Sequence, residues 1–399
     1  MATVERMLQG TADRRFRPLV RRFAGMFRKP GHGGGAVAAY WHGQPVVDVW
    51  AGHADPRGER PWERDTAALS FSTTKGVVST VVHRLVDRGL LAYDEPLATY
   101  WPAFDHPDRR HITLRLLLSH QAGLYRIRGL VRSAEDLLDH QRVVELVAAQ
   151  KPYRFTLGVT GYHGLTFGWL VAGLVRQVTG LSLRAVVETE LTAPLQLDAC
   201  WIGAPVSERH RVAELFSPRP KALGFQQLVA HAGRWPVTRP LADALFVEGL
   251  DELVADPAQR ILDTEMPAAN GVFTARALAK LYAALATDGT VDGVRVLSEG
   301  TLREAGRVQS RSRDIVLGLP MRWRLGYHQA FTTGPFAPKA YGHFGYGGSG
   351  AWADPETGLS LAFVTNRLGS VTTPVGDLRL PRLGAAALAV ARALPAPAP

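Results

Sequence analysis

The stretch Phe71-Ser72-Thr73-Thr74-Lys75-Gly76 leads into a run where Val77, Val78, Val81, Val82, Leu85 and Val86 return on one helical face, with Gly89 as its stop. A helix over residues 75–91 is therefore expected, entered at Ser72. With 14 serines and six lysines in 399 residues, a Ser-x-x-Lys spacing is expected about 0.2 times by chance, and it occurs once. Residues three apart share a helix face, where an amine can take the proton of a hydroxyl. Backbone N–H groups at the helix start favour negative charge developing beside the serine. For Lys75 to act as a base, burial or nearby positive potential must lower its pKa. The competing reading of the same residues is a capping serine followed by a solvated lysine.

Outward from this helix, residues 36–41, a turn at His42-Gly43-Gln44 and residues 46–50 read as a β-hairpin. A lone hairpin is not stable, and comparable strand signals lie far away at 341–344, 350–353 and 359–365, the last two joined by Asp354-Pro355-Glu356-Thr357-Gly358. The two ends of the chain are expected to share one sheet. Helical periodicity recurs at 115–119, 134–150, 165–178, 183–191, 274–287 and 383–394, leaving 395–399 as a frayed tail. The expected architecture is α/β in the mixed α+β sense. Residues 1–80 with 300–399 form a sheet domain, residues 81–299 form a mainly helical one, and the active site lies between them.

Composition narrows the class. A hydrophobic share of 46% with 21% charged residues is that of a soluble folded chain. The single cysteine, Cys200, excludes an internal disulfide, and no Cys-x-x-Cys pair is present. The longest apolar run, residues 164–175, is too short to span a bilayer, and arginines at 14, 15, 17, 21 and 22 occupy the place of a signal peptide's apolar core. A cytoplasmic location is expected. Of the net charge of +10, the first 30 residues carry +6, from eight basic and two acidic side chains. Phe16, Leu19, Val20, Phe23 and Phe27 give residues 16–28 an amphipathic pattern. It reads as a helix docking its aromatic stripe on the domain, with weak peripheral membrane contact as the alternative.

Five blocks in order then carry a resemblance: Phe71-Ser72-Thr73-Thr74-Lys75-Gly76; Ile112-Thr113-Leu114-Arg115-Leu116-Leu117-Leu118-Ser119-His120-Gln121-Ala122-Gly123-Leu124; Tyr162-His163-Gly164-Leu165-Thr166-Phe167-Gly168-Trp169; Asn270-Gly271-Val272-Phe273-Thr274-Ala275-Arg276; and Gly342-His343-Phe344-Gly345-Tyr346-Gly347-Gly348. Over nearly its whole length the chain resembles the penicillin-recognising serine hydrolases: class C β-lactamases, DD-peptidases and family VIII carboxylesterases. The resemblance implies a DD-peptidase/β-lactamase-like fold, a mainly antiparallel sheet flanked by helices with a large helical insertion. It implies Ser72 as nucleophile, Lys75 as its base and Tyr162 as the phenol that shuttles the proton. It also implies an oxyanion hole from the backbone N–H groups of Ser72 and Tyr346, with His343 and Gly345 orienting the substrate. No metal or organic cofactor is called for, and no nucleic-acid motif is present.

Two departures from the family pattern shape the expected substrate. Gly164 stands where the Tyr-x-Asn element has its asparagine, and His343 where the Lys-Thr-Gly element has its lysine. An amide grip and a permanent cation are both missing, and an ester needs neither. The expectation is a carboxylesterase for short to medium acyl esters. The alternatives are a β-lactamase, DD-peptidase or D-aminopeptidase-type amide hydrolase, an acyltransferase, or a catalytically idle scaffold. Gly345-x-Gly347-x-x-Gly350 matches a dinucleotide fingerprint only formally, because a strand pattern follows it. His106, Asp108 and His111 read as a solvated loop, and His120 and His163 as structural histidines. Tyr125, Trp235 and Trp323 are candidate acyl-pocket aromatics, and Arg126 and Arg128 candidate partners for an acidic substrate group.

Overall fold

The strand Gly34–Trp41 turns Val37, Ala39 and Trp41 to one side and Ala36, Ala38 and Tyr40 to the other, and all six are buried. Both faces of the sheet are therefore covered. The computed structural model describes residues 8–27, 32–153, 158–215, 217, 225–369 and 377–395. Its strands are β1 (Gln9–Ala12), β2 (Gly34–Trp41), β3 (Gln44–Gly52), β4 (Ala68–Leu69), β5 (Cys200–Ile202) and β6 (Gly271–Phe273). They continue with β7 (Thr290–Val291), β8 (Val294–Arg295), β9 (His328–Gln329), β10 (Tyr341–Phe344), β11 (Gly350–Asp354) and β12 (Leu359–Thr365). The main sheet runs β1-β3-β2-β12-β11-β10-β9, antiparallel throughout. The two chain ends meet where β12 pairs with β2, Ala362 opposite Ala38. Hairpin β2–β3 closes through His42 and Gly43, both at positive φ (49° and 75°), the geometry of a two-residue turn that matches strand twist.

The α-helices of five residues or more among the described residues are α1 (Arg17–Ala24), α2 (Thr73–Asp87), α3 (Leu114–Leu118), α4 (His140–Ala148), α5 (Thr166–Thr179), α6 (Leu183–Val187), α7 (Phe225–Ala232), α8 (Arg239–Leu245), α9 (Leu250–Val254), α10 (Ala275–Ala286), α11 (Glu299–Gly306) and α12 (Arg379–Ala393). Helices α1 and α12 cover one sheet face, where Phe16, Leu19 and Phe23 meet Val37, Phe363 and Leu383. Each such aromatic or leucine adds about 2 kcal/mol on burial. The apolar stripe docks on the sheet, as the first reading of residues 16–28 expected, and Arg17, Arg21 and Arg22 point outward. Residue 28 lies outside the described residues, as do 396–399 of the expected tail.

Alanine-rich α10 covers the other face against β2, β11 and β12, close enough that Ser360 Oγ donates to the Ala279 carbonyl at 2.8 Å. Residues 275–286 are helical as expected, and they pack directly on the main sheet. Behind α10 runs α2, buried along most of its length and packed on α5, α6, α11 and β10. The short sheet β4-β6-β5 anchors its entry, with Ser70 N donating to Gly271 O at 2.8 Å. No single helix among the described residues is long and apolar enough to cross a membrane.

Candidate active site

Ser72 caps α2 by position only. Its side chain makes no cap hydrogen bond, and the residue before it, Phe71, holds a φ of 47°, unusual for a residue with a side chain. The hydroxyl is thereby left for other partners. Ser72 Oγ accepts a hydrogen bond from Tyr162 OH at 2.9 Å and lies 3.1 Å from Lys75 Nζ. Lys75 Nζ also donates to the carbonyls of Gly164 (2.7 Å) and Ala268 (3.0 Å). Lys75 is fully buried, and that desolvation holds its pKa well below the ordinary lysine value. A neutral amine has two N–H groups and one lone pair. With the amine in its neutral form, the two carbonyls take both N–H groups and the lone pair turns to Ser72 Oγ.

Each carbonyl is fixed by its own loop. Asn270 accepts from Met266 N at 2.9 Å and donates to the carbonyls of Ile261 and Thr264, both at 2.8 Å, which shapes the turn presenting Ala268. Tyr162 is set from two sides by one carboxylate. Its backbone N–H donates to Asp314 Oδ1 at 3.2 Å, and its ring stacks on Trp323 (5.5 Å between centroids, 11° between planes), whose indole donates to Asp314 Oδ2 at 2.8 Å. Val316 and Leu317 N–H groups add bonds of 2.8 and 3.0 Å to the same buried carboxylate. Burial raises the Tyr162 pKa above its ordinary value, so it stays a phenol with a proton to donate. The sequence reading missed Asp314, for it stands 152 residues from Tyr162 in no recognisable motif.

His343 and Gly345 lie on β10 and the turn after it. A Cβ on Gly345 would come within 2.1 Å of Ser70 O, so only glycine lets this lip pack on the segment that carries Ser72. Gly345 N donates to Ser349 O at 2.7 Å, and Thr73 Oγ1 donates to the same carbonyl at 3.2 Å, tying the lip to the first turn of α2. The Tyr346 ring meets Phe71 edge-on at 5.4 Å. His343 is buried, with its ring 6.3 Å from that of Tyr162, and desolvation holds its pKa well below the ordinary histidine value, which keeps it neutral. Its Nδ1–H donates to Phe344 O at 3.1 Å, leaving Nε2 as an unpartnered acceptor. Ser72, Lys75, Tyr162, His343, Gly345 and Tyr346 are thus brought together.

A cleft of about 1870 Å³ opens on Ser72, Tyr162, His343 and Trp323. Leucines from α8 and from the 317–319 loop form much of its wall. A Cβ on Gly164 would lie 2.2 Å from Leu245 Cδ2, so α8 fills the space that a side chain at 164 would need. Trp323 lines the cleft, Tyr125 packs behind Tyr162, and Trp235 is exposed away from the cleft. Arg126 and Arg128 are also outside it, beside Tyr153 and Phe246. His163 Nε2 accepts from Leu124 N at 3.0 Å and His120 Nδ1 from His163 N at 3.1 Å, so both brace the loops behind the site. Gly350 opens strand β11, not a helix, which removes the dinucleotide reading.

Comparison with known proteins places this geometry. The family model described as Beta-lactamase matches residues 12–386. The chain is 44% identical over 376 residues to the esterase/beta-lactamase LipL of Mycobacterium tuberculosis, covering 91% of this chain and 84% of LipL. A family VIII carboxylesterase crystal structure superposes with a TM-score of 0.82 at 34% identity, covering 96% of this chain and 99% of that one. A penicillin-binding protein homologue from Caulobacter crescentus follows at 0.80 and 33%, with the same coverage.

Proposed function

The chain belongs to the beta-lactamase family and is a hydrolase of that family, and on that premise we propose that it cleaves carboxylic esters of short to medium acyl length through an acyl-enzyme on Ser72. The observation that carries the reading is the fully buried Lys75, its pKa held well below the ordinary lysine value, whose Nζ donates to two carbonyls and lies 3.1 Å from Ser72 Oγ, so that its neutral form turns a lone pair to that hydroxyl. Lys75 takes the Ser72 proton as Oγ attacks the ester carbonyl. The N–H groups of Ser72 and Tyr346 receive the oxyanion. Tyr162, a phenol bonded to the same oxygen, passes a proton to the departing alkoxide and is recharged from Lys75. Water then attacks the acyl-serine, releasing the acid and restoring Ser72. His343 offers the substrate an acceptor and no cation, and Gly345 lets the lip close.

Ester over amide is favoured by the cleft. Position 164 has no side chain to grip an amide, and Leu245 occupies that space. An aliphatic acyl group suits the leucine-rich wall. The names of the relatives, an esterase/beta-lactamase and a family VIII carboxylesterase, support the same class.

The test is p-nitrophenyl butyrate release by wild type and Ser72→Ala, with intact mass taken during turnover and nitrocefin run in parallel. Turnover with an acyl adduct, both lost in Ser72→Ala, is the expected result. Equal slow release by both proteins without an adduct overturns the assignment, and nitrocefin turnover matching ester turnover overturns the ester preference.

A further inference from the structure

Residues 234–239, Arg234-Trp235-Pro236-Val237-Thr238-Arg239, join α7 to α8, and all six are exposed. Trp235 is 65% and Val237 87% exposed, unusual for side chains of this kind. The tip is not an isolated loop. Behind it, Arg128 reaches Gly233, and the N–H groups of Ile127 and Arg128 both donate to Asp243 O on α8. Arg126 and Arg239 lie 3.9 and 3.8 Å from the Asp243 carboxylate. Arg234 and Arg239 thus flank two protruding apolar side chains in the sequence of the tip, and Arg126 and Arg128 stand behind it, with Asp243 shared between Arg126 and Arg239. The acidic residues of this region, Glu248, Asp251 and Glu252, follow the far end of α8.

We propose that this tip is a docking surface for an anionic lipid layer. Tryptophan and valine insert at the headgroup level while the guanidiniums meet lipid phosphates or carboxylates. The chemistry selects this occupant over others. Val237 gains nothing from a nucleic-acid backbone, and across a two-fold contact with a second copy the arginines would face their like.

The position also connects the tip to the cleft. Leu241, two residues past Arg239, and Leu228 on α7 both line it, and α8 spans only about 10 Å. A lipid layer held at the tip therefore lies one short helix from residues that line the cleft. The binding itself needs no turnover. Only its benefit to turnover rests on the esterase reading.

The experiment uses the full-length Ser72→Ala protein, so that failure of the esterase reading leaves the binding result intact. Sedimentation is measured with phosphatidylcholine vesicles and with vesicles of equimolar phosphatidylcholine and phosphatidylglycerol. Binding to the anionic vesicles, weakened by salt, is expected. It should fall about tenfold or more in Trp235→Ser/Val237→Ser and in Arg234→Gln/Arg239→Gln, with circular dichroism unchanged. No sedimentation by the parent protein, or equal sedimentation by the variants, overturns the proposal. Two further results overturn it in favour of another occupant. One is a dimer by light scattering that the Trp235→Ser/Val237→Ser change dissolves. The other is heparin binding lost in the arginine variant but kept in the apolar one.

Discussion

The two walls of the cleft are held by different forces. On the sheet side, Ser72, Lys75 and Tyr162 are fixed by hydrogen bonds from segments far apart in sequence: Gly164, Ala268 and Asp314. On the cap side, Leu241 and Leu245 come from one short helix and touch the site through apolar surface alone. Hydrogen bonds fix distance and direction, which proton transfer requires, whereas dispersion and hydrophobic contact tolerate repacking. On the proposed esterase reading, the first wall sets the chemistry and the cap wall selects the acyl group. Substitutions in the first should act on kcat, and those in the second on KM and chain-length preference.

The largest effect is expected at Lys75. Lys75→Ala removes the lone pair facing Ser72 and should lower kcat/KM for p-nitrophenyl butyrate on the order of 10⁴-fold, with the fold retained by circular dichroism. Lys75→Arg should be as inactive, because a guanidinium does not deprotonate. In the wild type, activity should rise with pH along a single ionisation well below the ordinary lysine range and then level off, since the neutral amine is the active form. A lysine-like ionisation near its usual value would remove Lys75 as the base.

Stability should show the same burial on a larger scale. His83, His163 and His328 are buried neutral, with pKa values pushed down to about 4, 3 and 4 by desolvation. Unfolded, they titrate near 6.5. Below 6.5 the unfolded chain therefore binds protons that the folded chain refuses. Stability is fully present above 6.5 and is lost as pH falls toward about 4. Each histidine costs about 1.4 kcal/mol per pH unit in that window, and the three together about 4. Urea unfolding followed across it should show the midpoint falling steeply. A flat midpoint would mean the imidazoles take up protons in the folded state.

A smaller effect belongs to Asp314, which touches no reacting atom and acts by positioning Tyr162. Asp314→Asn keeps the shape and loses acceptor capacity for one of the four donors. We expect kcat to fall about 10- to 100-fold with KM unchanged, against 10²- to 10³-fold for Tyr162→Phe. A change confined to thermal stability would make Asp314 a packing residue only.

The same division explains what could be seen in the sequence. Strands at 341–344 and 359–365 were legible residue for residue, because alternation and flanking turns are local signals. Ser72, Lys75 and Tyr162 were legible through motif order, and the structure gathers them around one oxygen. The carbonyl of Ala268 and the carboxylate of Asp314 were not, since a backbone oxygen has no sequence signature and an isolated aspartate no motif. Helix α10 was legible as a helix but not in its destination: small residues at 277, 279 and 283 say that something packs closely, not what. At residues 16–27 the pattern showed an apolar stripe but not what it meets, and only the neighbouring sheet face supplies that partner.

The smallest effect tests the cap wall directly. Leu245 both lines the cleft and fills the space beside Gly164, so Leu245→Ala should enlarge the acyl side without touching Ser72, Lys75 or Tyr162. Removing a leucine side chain gives up about 2 kcal/mol of apolar contact for a ligand that used it, and a longer chain regains part of that by filling the space. KM for the butyrate ester should rise by up to about 30-fold, KM for a decanoate ester should change less, and kcat should hold for both. Gly164→Asn in the wild-type background meets Leu245 at once and should disturb the Lys75 carbonyl partner. In the Leu245→Ala background the asparagine has room, so the double variant should recover kcat toward that of Leu245→Ala alone. If Leu245→Ala instead lowers kcat for both esters and leaves chain-length preference unchanged, the two walls are coupled and α8 is part of what holds the catalytic atoms in place.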